Sequence, residues 1–368
     1  MLKDVNERVR LLNDAPARPA ADYVLYWAQI NRRLDSNHGL AFAVQTANQL
    51  GLPVLVYEGL TYAHPWASER FHNFILDGVP DNAARAVELG LGYSFYFRRS
   101  SADPNDVLYQ LAQHAALLVT DDFPGYMASA HNASVPPKIG IPYYVVDSSC
   151  IVPMSLLRKQ EYAAYTIRPK IHRLLDECLQ PVEPIRVKRK WNGEPARLGV
   201  ISQGAGGRKA ALKRLDDFLE NSLRRYAREN REPSAHATSQ LSSYLHFGHI
   251  SSLEIALAVN EHAKQHKLIV PEFLEQLIVR RELAFNFAAR GPNPHTLAAL
   301  PEWAQQTLAN HDPDKRDHVY TREQFEQART HDALWNAMQH QLLHDGIIPG
   351  YQRMYWGKKI IEWSATHQ

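Results

Sequence analysis

Residues 23–59 of this 368-residue chain read YVLYWAQINRRLDSNHGLAFAVQTANQLGLPVLVYEG, and this stretch decides the fold. Its two apolar runs, YVLYWA from Tyr23 and PVLVYEG from Pro53, are typical of buried strands, and the stretch around 39–50 between them has the pattern of a helix. Three more apolar runs, SFYFRR, ALLVTDD and YYVVDSS, begin at Ser94, Ala116 and Tyr143, with helical patterns around 68–89 and 104–114. The alternation predicts an α/β domain with a Rossmann-like, doubly wound and mostly parallel sheet.

Beyond Cys150 the pattern changes from strands to helices. We therefore divide the chain into an N-terminal extension (1–21), an α/β domain (22–150), a crossover with a basic, proline-containing linker (151–197) and an all-α domain (198–368). The helical periodicity covers 206–229, 250–266, 271–290, 300–310, 321–340 and 353–366.

Composition excludes several classes of protein. Lys and Arg number 41 against 39 acidic residues, so no global positive field marks a nucleic-acid binder. A local basic run at 186–214 is either a solvated linker face or a surface that attracts phosphates. Two cysteines, a charged N-terminus and no long apolar stretch predict a cytoplasmic protein without a membrane span. A monomer is expected, although these features do not determine the oligomeric state.

Several common site motifs are missing or incomplete. No G-x-G-x-x-G follows the first strand, which disfavours a dinucleotide dehydrogenase. The glycine-rich stretch from Gln203 to Arg208 precedes a helix, so it is either a phosphate-binding loop or a flexible turn. His340 and His344 are four residues apart, but HQLLH lacks the glutamate of a zinc hydrolase, and no metal is expected.

Residues 331–363 read HDALWNAMQHQLLHDGIIPGYQRMYWGKKIIEW and contain three tryptophans. Trp356 and Trp363 are seven residues apart, which places both indoles on one helix face with a rise of about 10 Å between them. Trp335 comes from the preceding helical segment. Indoles spaced in this way either carry electrons toward a buried redox group or pack a helix interface.

Two further motifs combine polar groups. Hydroxyl groups at Thr238, Ser239 and Ser242 would either bind an anion at a helix start or cap that helix. In the sequence VRREL, Glu282 is either a carboxyl excluded from water or a salt-bridge partner of Arg280 or Arg281.

The tryptophan segment resembles the C-terminal helices of class II DNA photolyases, flavin enzymes that split pyrimidine dimers with light. The shared patterns are L-W-N-A-x-Q from Leu334 and R-M-Y-W-x-K-K-I-x-E-W from Arg353. The crossover from Lys159 to Leu174 and the opening of the α/β domain are also similar to that family. The resemblance implies an FAD cofactor in the all-α domain, UV-damaged DNA as partner, and light-dependent repair of cyclobutane pyrimidine dimers by electron transfer from reduced FAD.

The resemblance also implies roles for particular residues. Glu282 would assist at the lesion, and Trp335, Trp356 and Trp363 would carry electrons that reduce the flavin. The α/β domain resembles the antenna domain of the family, which can hold a second chromophore of deazaflavin or folate type, but its sequence does not identify a pigment. The residues implied in FAD binding are Tyr226, Thr238, Ser239, Leu241, Ser242, Arg281, Asn336 and Arg353.

The sequence departs from the family pattern at some positions. Phe285 stands in place of an acidic residue and Pro349 in place of a histidine. The family continues with a D-G-R-D-P-N-G-Y type motif, so the all-α domain is expected to be C-terminally incomplete. Two alternatives to a repair enzyme therefore stay open, a cryptochrome-like flavin photoreceptor without repair activity and a truncated, inactive photolyase fragment.

Overall fold

The structure is a computed structural model that describes residues 6–18, 20–194, 204–291, 293–294 and 296–367. The chain forms two compact units. The first comprises residues 1–220 and 239–290, and the second comprises residues 221–238 and 291–368. The domain limits inferred from the sequence, at 21, 150 and 197, stay predictions.

The first unit contains a six-stranded sheet with the strand order β1-β6-β5-β2-β3-β4. Strands β2 to β6 pair in parallel, as the alternation of strands and helices predicts. The central strand β2 is buried along its whole length. The strands are β1 (Val9–Leu11), β2 (Tyr23–Ala28), β3 (Val54–Thr61), β4 (Gly92–Arg98), β5 (Ala115–Asp121) and β6 (Tyr143–Val146).

Strand β1 was missed by the sequence analysis, which treated residues 1–21 as an extension. It pairs antiparallel with β6, with Val9 opposite Val146 and Leu11 opposite Tyr144. Three residues are too short a run to give a recognisable alternation of apolar and polar side chains. The edge strand therefore makes the sheet mixed rather than purely parallel.

Helices of the first unit cover both faces of the sheet. Further helices, from Ala164 onward, follow the last strand in the sequence. The stretch 68–89, expected to be helical throughout, breaks between Asp77 and Val79, where Gly78 precedes Pro80 and the proline lacks a backbone N–H. These helices are α1 (His38–Leu50), α2 (Glu69–Leu76), α3 (Val79–Leu89), α4 (Val107–Ala112), α5 (Tyr126–Ser134), α6 (Ala164–Cys178), α7 (Gly207–Asn221), α9 (Ser242–His246), α10 (Ser252–His266), α11 (Pro271–Leu274) and α12 (Arg281–Arg290).

A π-helical segment, Glu275–Arg280, joins α11 directly to α12. Such segments widen a helix by one residue per turn and occur often at functional sites. Glu282 lies in the first turn of α12, immediately after this segment.

Among its described residues the second unit contains helices joined by loops and no strand. The expected helix 321–340 is two helices, because Asp332 caps a new helix by accepting a hydrogen bond from the Trp335 N–H. The helices are α8 (Leu223–Glu229), α13 (Glu302–His311), α14 (Arg322–Glu326), α15 (Ala333–Asp345) and α16 (Gly350–Trp363).

Candidate functional site

The three tryptophans of the C-terminal segment form one packed cluster in the second unit. The ring centroids of Trp335 and Trp356 are 6.1 Å apart with the planes nearly parallel at 5°. Trp363 lies 6.3 Å from Trp335 at 64°. Trp335 is completely buried, and Trp363 is also buried. Trp335 therefore contacts both of the other indoles, which α16 presents to it from one face, as their spacing predicts.

Hydrogen bonds fix the orientation of two of these indoles. The Nε1–H of Trp335 donates to the backbone oxygen of Trp356 at 3.1 Å. The Nε1–H of Trp356 donates to Oε1 of Gln339 at 3.0 Å. With both indole N–H groups bonded, the stacked pair is held in a single arrangement.

Tyr320 extends the cluster toward solvent and was not identified from the sequence. Its ring centroid is 5.9 Å from that of Trp363, and its hydroxyl is 2.7 Å from Nδ1 of the exposed His331. The backbone N–H of His331 donates to the same hydroxyl oxygen at 2.9 Å. Tyr320 precedes α14 in a loop, where no periodicity signals a contact with a residue 43 positions later.

Lys359 places a positive charge against the same cluster. Its Nζ lies 5.3 Å from the ring centroid of Trp363 and 5.7 Å from that of Tyr355. It also bonds Glu362 at 2.8 Å, which offsets part of that charge. The aromatic cluster thus has a polar rim on α16.

Glu282 lies in the first unit and is 1 % exposed. Its Oε1 accepts hydrogen bonds from the backbone N–H groups of Ile151 (2.6 Å) and Val152 (3.1 Å). Oε2 is buried and has no hydrogen-bond partner among the described residues. Burial raises the pKa of the Glu282 carboxyl to about 8, so the group is mostly protonated at neutral pH and Oε2 carries the proton.

The salt-bridge alternative for Glu282 is wrong. Arg280 pairs with Glu275 at 3.4 Å. Arg281 donates to the backbone oxygen of Ser149 at 2.7 Å and lies 4.6 Å from the ring centroid of Phe285. The guanidinium of Arg281 is thus stacked on the aromatic ring that replaces the acidic residue of the family pattern.

The remaining predicted cofactor residues are divided between the two units. Ser239, Leu241 and Ser242 belong to the first unit, where Leu241 is buried and Ser242 is exposed. Ser239 Oγ accepts from the Leu241 N–H at 3.4 Å, and within the described part of the chain Ser242 Oγ makes no hydrogen bond. None of the three hydroxyl groups caps α9, because no described side chain accepts a hydrogen bond from its first turn and Ser239 bonds only the residue before the helix.

Tyr226, Thr238, Asn336 and Arg353 belong to the second unit. The Asn336 side chain is committed to Thr330, accepting from its hydroxyl at 2.8 Å and donating to its backbone oxygen at 2.9 Å. Arg353 is exposed and has no ion pair with any residue that the structure describes. Tyr226 is half-buried, and burial raises its pKa.

The glycine-rich loop before α7 is not open to a phosphate. The Asp77 carboxylate accepts hydrogen bonds from the N–H groups of Gly204 (3.2 Å), Ala205 (3.0 Å) and Gly206 (2.9 Å). The Gly207 N–H donates to Nδ1 of His249 at 3.0 Å. A side chain of the protein thus takes the place that a phosphate would have, and Gln203 lies outside the described residues.

The basic run 186–214 is also partly neutralised. Arg208 pairs with Asp35 (3.1 Å) and Glu254 (2.7 Å), and Lys209 pairs with Asp81 (3.2 Å). Arg197 lies outside the described residues. The run is therefore not a continuous free surface for phosphates.

The switch point of the sheet lies between β2 and β5, where ligands of doubly wound folds usually bind. Here the carboxylate of Asp121 accepts hydrogen bonds from the N–H groups of Gln29, Ile30 and Asn31 at 2.8–3.1 Å. Asp121 itself is completely buried. The chain's own carboxylate occupies the position at which a nucleotide would meet the strand ends.

The described residues contain no group of three or more His, Cys, Asp or Glu side chains placed to hold a metal ion. None of their helices combines the length and the apolar character that crossing a membrane requires.

The chain belongs to the DNA photolyase family. The family's sequence profile matches residues 24–187. A deoxyribodipyrimidine photo-lyase of Methanothermobacter thermautotrophicus is 37 % identical over an alignment of 379 positions, gaps included. The alignment covers 97 % of this chain and 82 % of that protein. The deoxyribodipyrimidine photo-lyase of Oryza sativa subsp. japonica is 33 % identical over 97 % of this chain and 76 % of its own length.

A solved structure shows the same fold. The archaeal photolyase from Sulfolobus tokodaii, determined with two FAD molecules, matches with a TM-score of 0.64 and 15 % identity over 92 % of this chain and 75 % of its own. The α/β fold followed by a helical region, expected from the sequence, is confirmed.

Proposed function

We propose that this protein repairs cyclobutane pyrimidine dimers in DNA in a light-dependent reaction with FAD as cofactor. The observation that carries the proposal is the packed tryptophan cluster around Trp335, in a chain that is 37 % identical to a deoxyribodipyrimidine photo-lyase over nearly its whole length. Reduced FAD would supply an electron donor that light excites.

The residues present fit an FAD group in part. In the first unit, Ser242 is exposed and no described residue uses its hydroxyl, which is therefore available to a phosphate oxygen. In the second unit, Arg353 is exposed and its guanidinium has no ion pair with a described residue. The resemblance to class II photolyases supplies five further proposed FAD contacts. They are Thr238, Ser239, Leu241, Tyr226 and Arg281. Asn336 fits less well, because its amide is bonded to Thr330.

Glu282 would act as a neutral hydrogen-bond donor to the lesion. Its buried carboxyl has a raised pKa, and Oε2, the oxygen without a partner among the described residues, would donate to a carbonyl of the dimer as negative charge develops there. Because Glu282 is buried, the neighbouring side chains have to move aside when a flipped-out dimer binds.

Trp335, Trp356 and Trp363 would carry electrons through the second unit and keep the cofactor reduced. Their contacts put successive indoles 6.1 and 6.3 Å apart between ring centroids. Tyr320, in contact with Trp363, would be the next group toward solvent. These four residues would not touch the dimer.

Purified protein given FAD tests the proposal. We expect a yellow preparation that, after chemical reduction and illumination with blue light, restores a dimer-containing oligonucleotide, with the same sample in the dark as control. A preparation that stays colourless and does not bind FAD would overturn the enzyme hypothesis. A yellow protein that repairs no dimer would instead support a flavin photoreceptor.

The same proposal includes the macromolecular partner, the cellular compartment and the second pigment. UV-damaged DNA would be the macromolecular partner, bound by a monomer. Only two cysteines occur, one of them buried, which favours the cytoplasm as the compartment. An antenna chromophore of deazaflavin or folate type would be the second pigment.

A further inference from the structure

Two tyrosines at the start of α6 are unusually exposed. Tyr162 is 69 % exposed and Tyr165 is 62 % exposed. Their rings meet edge to face with centroids 5.7 Å apart, and their hydroxyl oxygens are 2.7 Å apart. Large aromatic side chains left in water next to one another commonly mark a surface that binds a partner.

The segment that holds this pair carries mostly positive charges, and the exposed Asp176 and Glu177 follow it further along α6. Residues 158–173 contain five Lys or Arg and one acidic residue, Glu161, which is buried and paired with Lys170. Arg168 pairs with Glu275. The other three cations are exposed and have no ion pair within the described ranges; they are Arg158, Lys159 and Arg173. We call Tyr162, Tyr165 and these three cations the tyrosine–cation surface.

Buried hydrogen bonds hold the first part of this surface rigidly on α12. The completely buried Asn286 donates to the backbone oxygen of Lys159 at 2.9 Å and accepts from the Glu161 N–H at 2.7 Å. Arg290 donates to the backbone oxygens of Leu157 (3.1 Å) and Met154 (2.7 Å). Because the turn is fixed before a partner arrives, little conformational freedom is lost on binding.

We propose that the tyrosine–cation surface binds a nucleic-acid strand outside the lesion site. Arg158, Lys159 and Arg173 contact phosphates, and an unpaired base stacks on the exposed rings. Exposed aromatic rings beside free cations suit a strand that offers both charge and π faces. Only the choice of DNA as the nucleic acid rests on the proposed function; the surface itself requires neither FAD nor a dimer.

The charge contribution is tested with undamaged DNA, by fluorescence anisotropy as a function of salt concentration. The triple variant Arg158→Gln, Lys159→Gln, Arg173→Gln is compared with a matched control, Lys138→Gln, Lys264→Gln, Lys315→Gln, which removes three exposed cations elsewhere. We expect the slope of log affinity against log salt for duplex DNA to become shallower by about 2 to 3 in the first variant only. Equal slopes in the two triple variants would overturn the proposal.

The stacking contribution is tested with a single-stranded oligonucleotide. Tyr162→Ala with Tyr165→Ala should weaken binding by roughly tenfold, whereas the double Phe variant should keep wild-type affinity because its rings still stack. If the Phe variant loses as much as the Ala variant, or neither loses affinity, no base stacks there. Binding that polyglutamate reproduces equally well would indicate an acidic protein partner and would also overturn the proposal.

These measurements separate the two proposals. Loss of affinity for undamaged DNA in the surface variants would support the tyrosine–cation surface even if the protein repairs no dimer. If those variants repair dimers efficiently and keep their affinity for undamaged DNA, the proposed function is supported. The tyrosine–cation surface then takes no part in DNA binding, and the proposal for it is overturned.

Discussion

At the scale of single residues, Glu282 shows how a carboxyl group is kept neutral at pH 7. Burial removes water from both oxygens, while the N–H groups of Ile151 and Val152 bond only Oε1. These two bonds favour the ionised form, but burial has the larger effect and the pKa rises to about 8. The side chain therefore stabilises the chain between β6 and α6 as a neutral acceptor.

The first prediction concerns Glu282→Gln and Glu282→Ala. The Gln variant keeps a neutral acceptor for both N–H groups, so its free energy of unfolding at pH 7 should stay close to that of the wild type. The Ala variant leaves two buried donors unbonded and should lose about 2–4 kcal/mol. Urea unfolding at pH 7 measures both values, and an equal loss in the two variants would contradict the neutral-acceptor role of Glu282.

At the scale of elements, α15 and α16 are joined mainly through the tryptophan cluster. Trp356 contributes the stacked face and the bond to Gln339, but it is only half-buried. The electron-transfer role proposed for Trp356 is therefore separable from its role in packing, since a phenyl ring fills most of the same volume.

The second prediction is that Trp356→Phe slows photoreduction of bound flavin and leaves dimer repair by chemically reduced protein largely unchanged. The lost hydrogen bond to Gln339 should lower the free energy of unfolding by only about 1 kcal/mol. Trp303→Phe is the matched control, because Trp303 is 73 % exposed and lies outside the cluster. Photoreduction rates that fall equally in both variants would exclude Trp356 from the electron route.

The third prediction concerns the loop before α7. Asp77→Ala leaves the N–H groups of Gly204, Ala205 and Gly206 without their acceptor and should cost about 2 kcal/mol of stability. The vacated amides would then attract an anion, so inorganic phosphate should raise the Tm of this variant. Asp81→Ala is the control, because Asp81 accepts one backbone bond, from Lys209. A phosphate-independent Tm in the Asp77 variant would contradict this account.

The elements predicted best from the sequence were those with long periodic patterns. The parallel strands β2 to β6 and helices such as α10 follow directly from their apolar spacing. The contacts that decide the site could not be foreseen in this way, because they join distant residues. Asp77 meets the glycine loop 127 to 129 residues away, and Glu282 meets Ile151 across 131 residues. Resemblance to a family drew attention to Glu282, but its hydrogen-bond partners required the fold.

At the scale of the whole molecule, buried titratable groups of opposite kind set the pH dependence of stability. His249 is buried and His38 is half-buried, and desolvation together with nearby arginines lowers the pKa of each to about 3. Each contributes stability that is present above pH 6.5 and lost as the pH falls. Glu282 and Asp147, whose pKa values are raised by burial, contribute stability that is present at low pH and lost as the pH rises.

The fourth prediction is therefore a maximum of stability near pH 6.5. From pH 8 down to 6.5, protonation of Glu282 should raise the free energy of unfolding by about 1.4 kcal/mol per pH unit at most. Below 6.5, His38 and His249 each lower the free energy of unfolding by up to about 1.4 kcal/mol per pH unit. His72, His131 and His246, whose pKa values burial also lowers, act in the same direction, so the histidines together outweigh the gains from Glu282 and Asp147. Urea unfolding across pH 4.5–8.5 measures the curve. His249→Asn keeps an acceptor for the Gly207 N–H and should flatten the acid limb alone, whereas stability that rises steadily with pH in the wild type would refute this assignment of the buried groups.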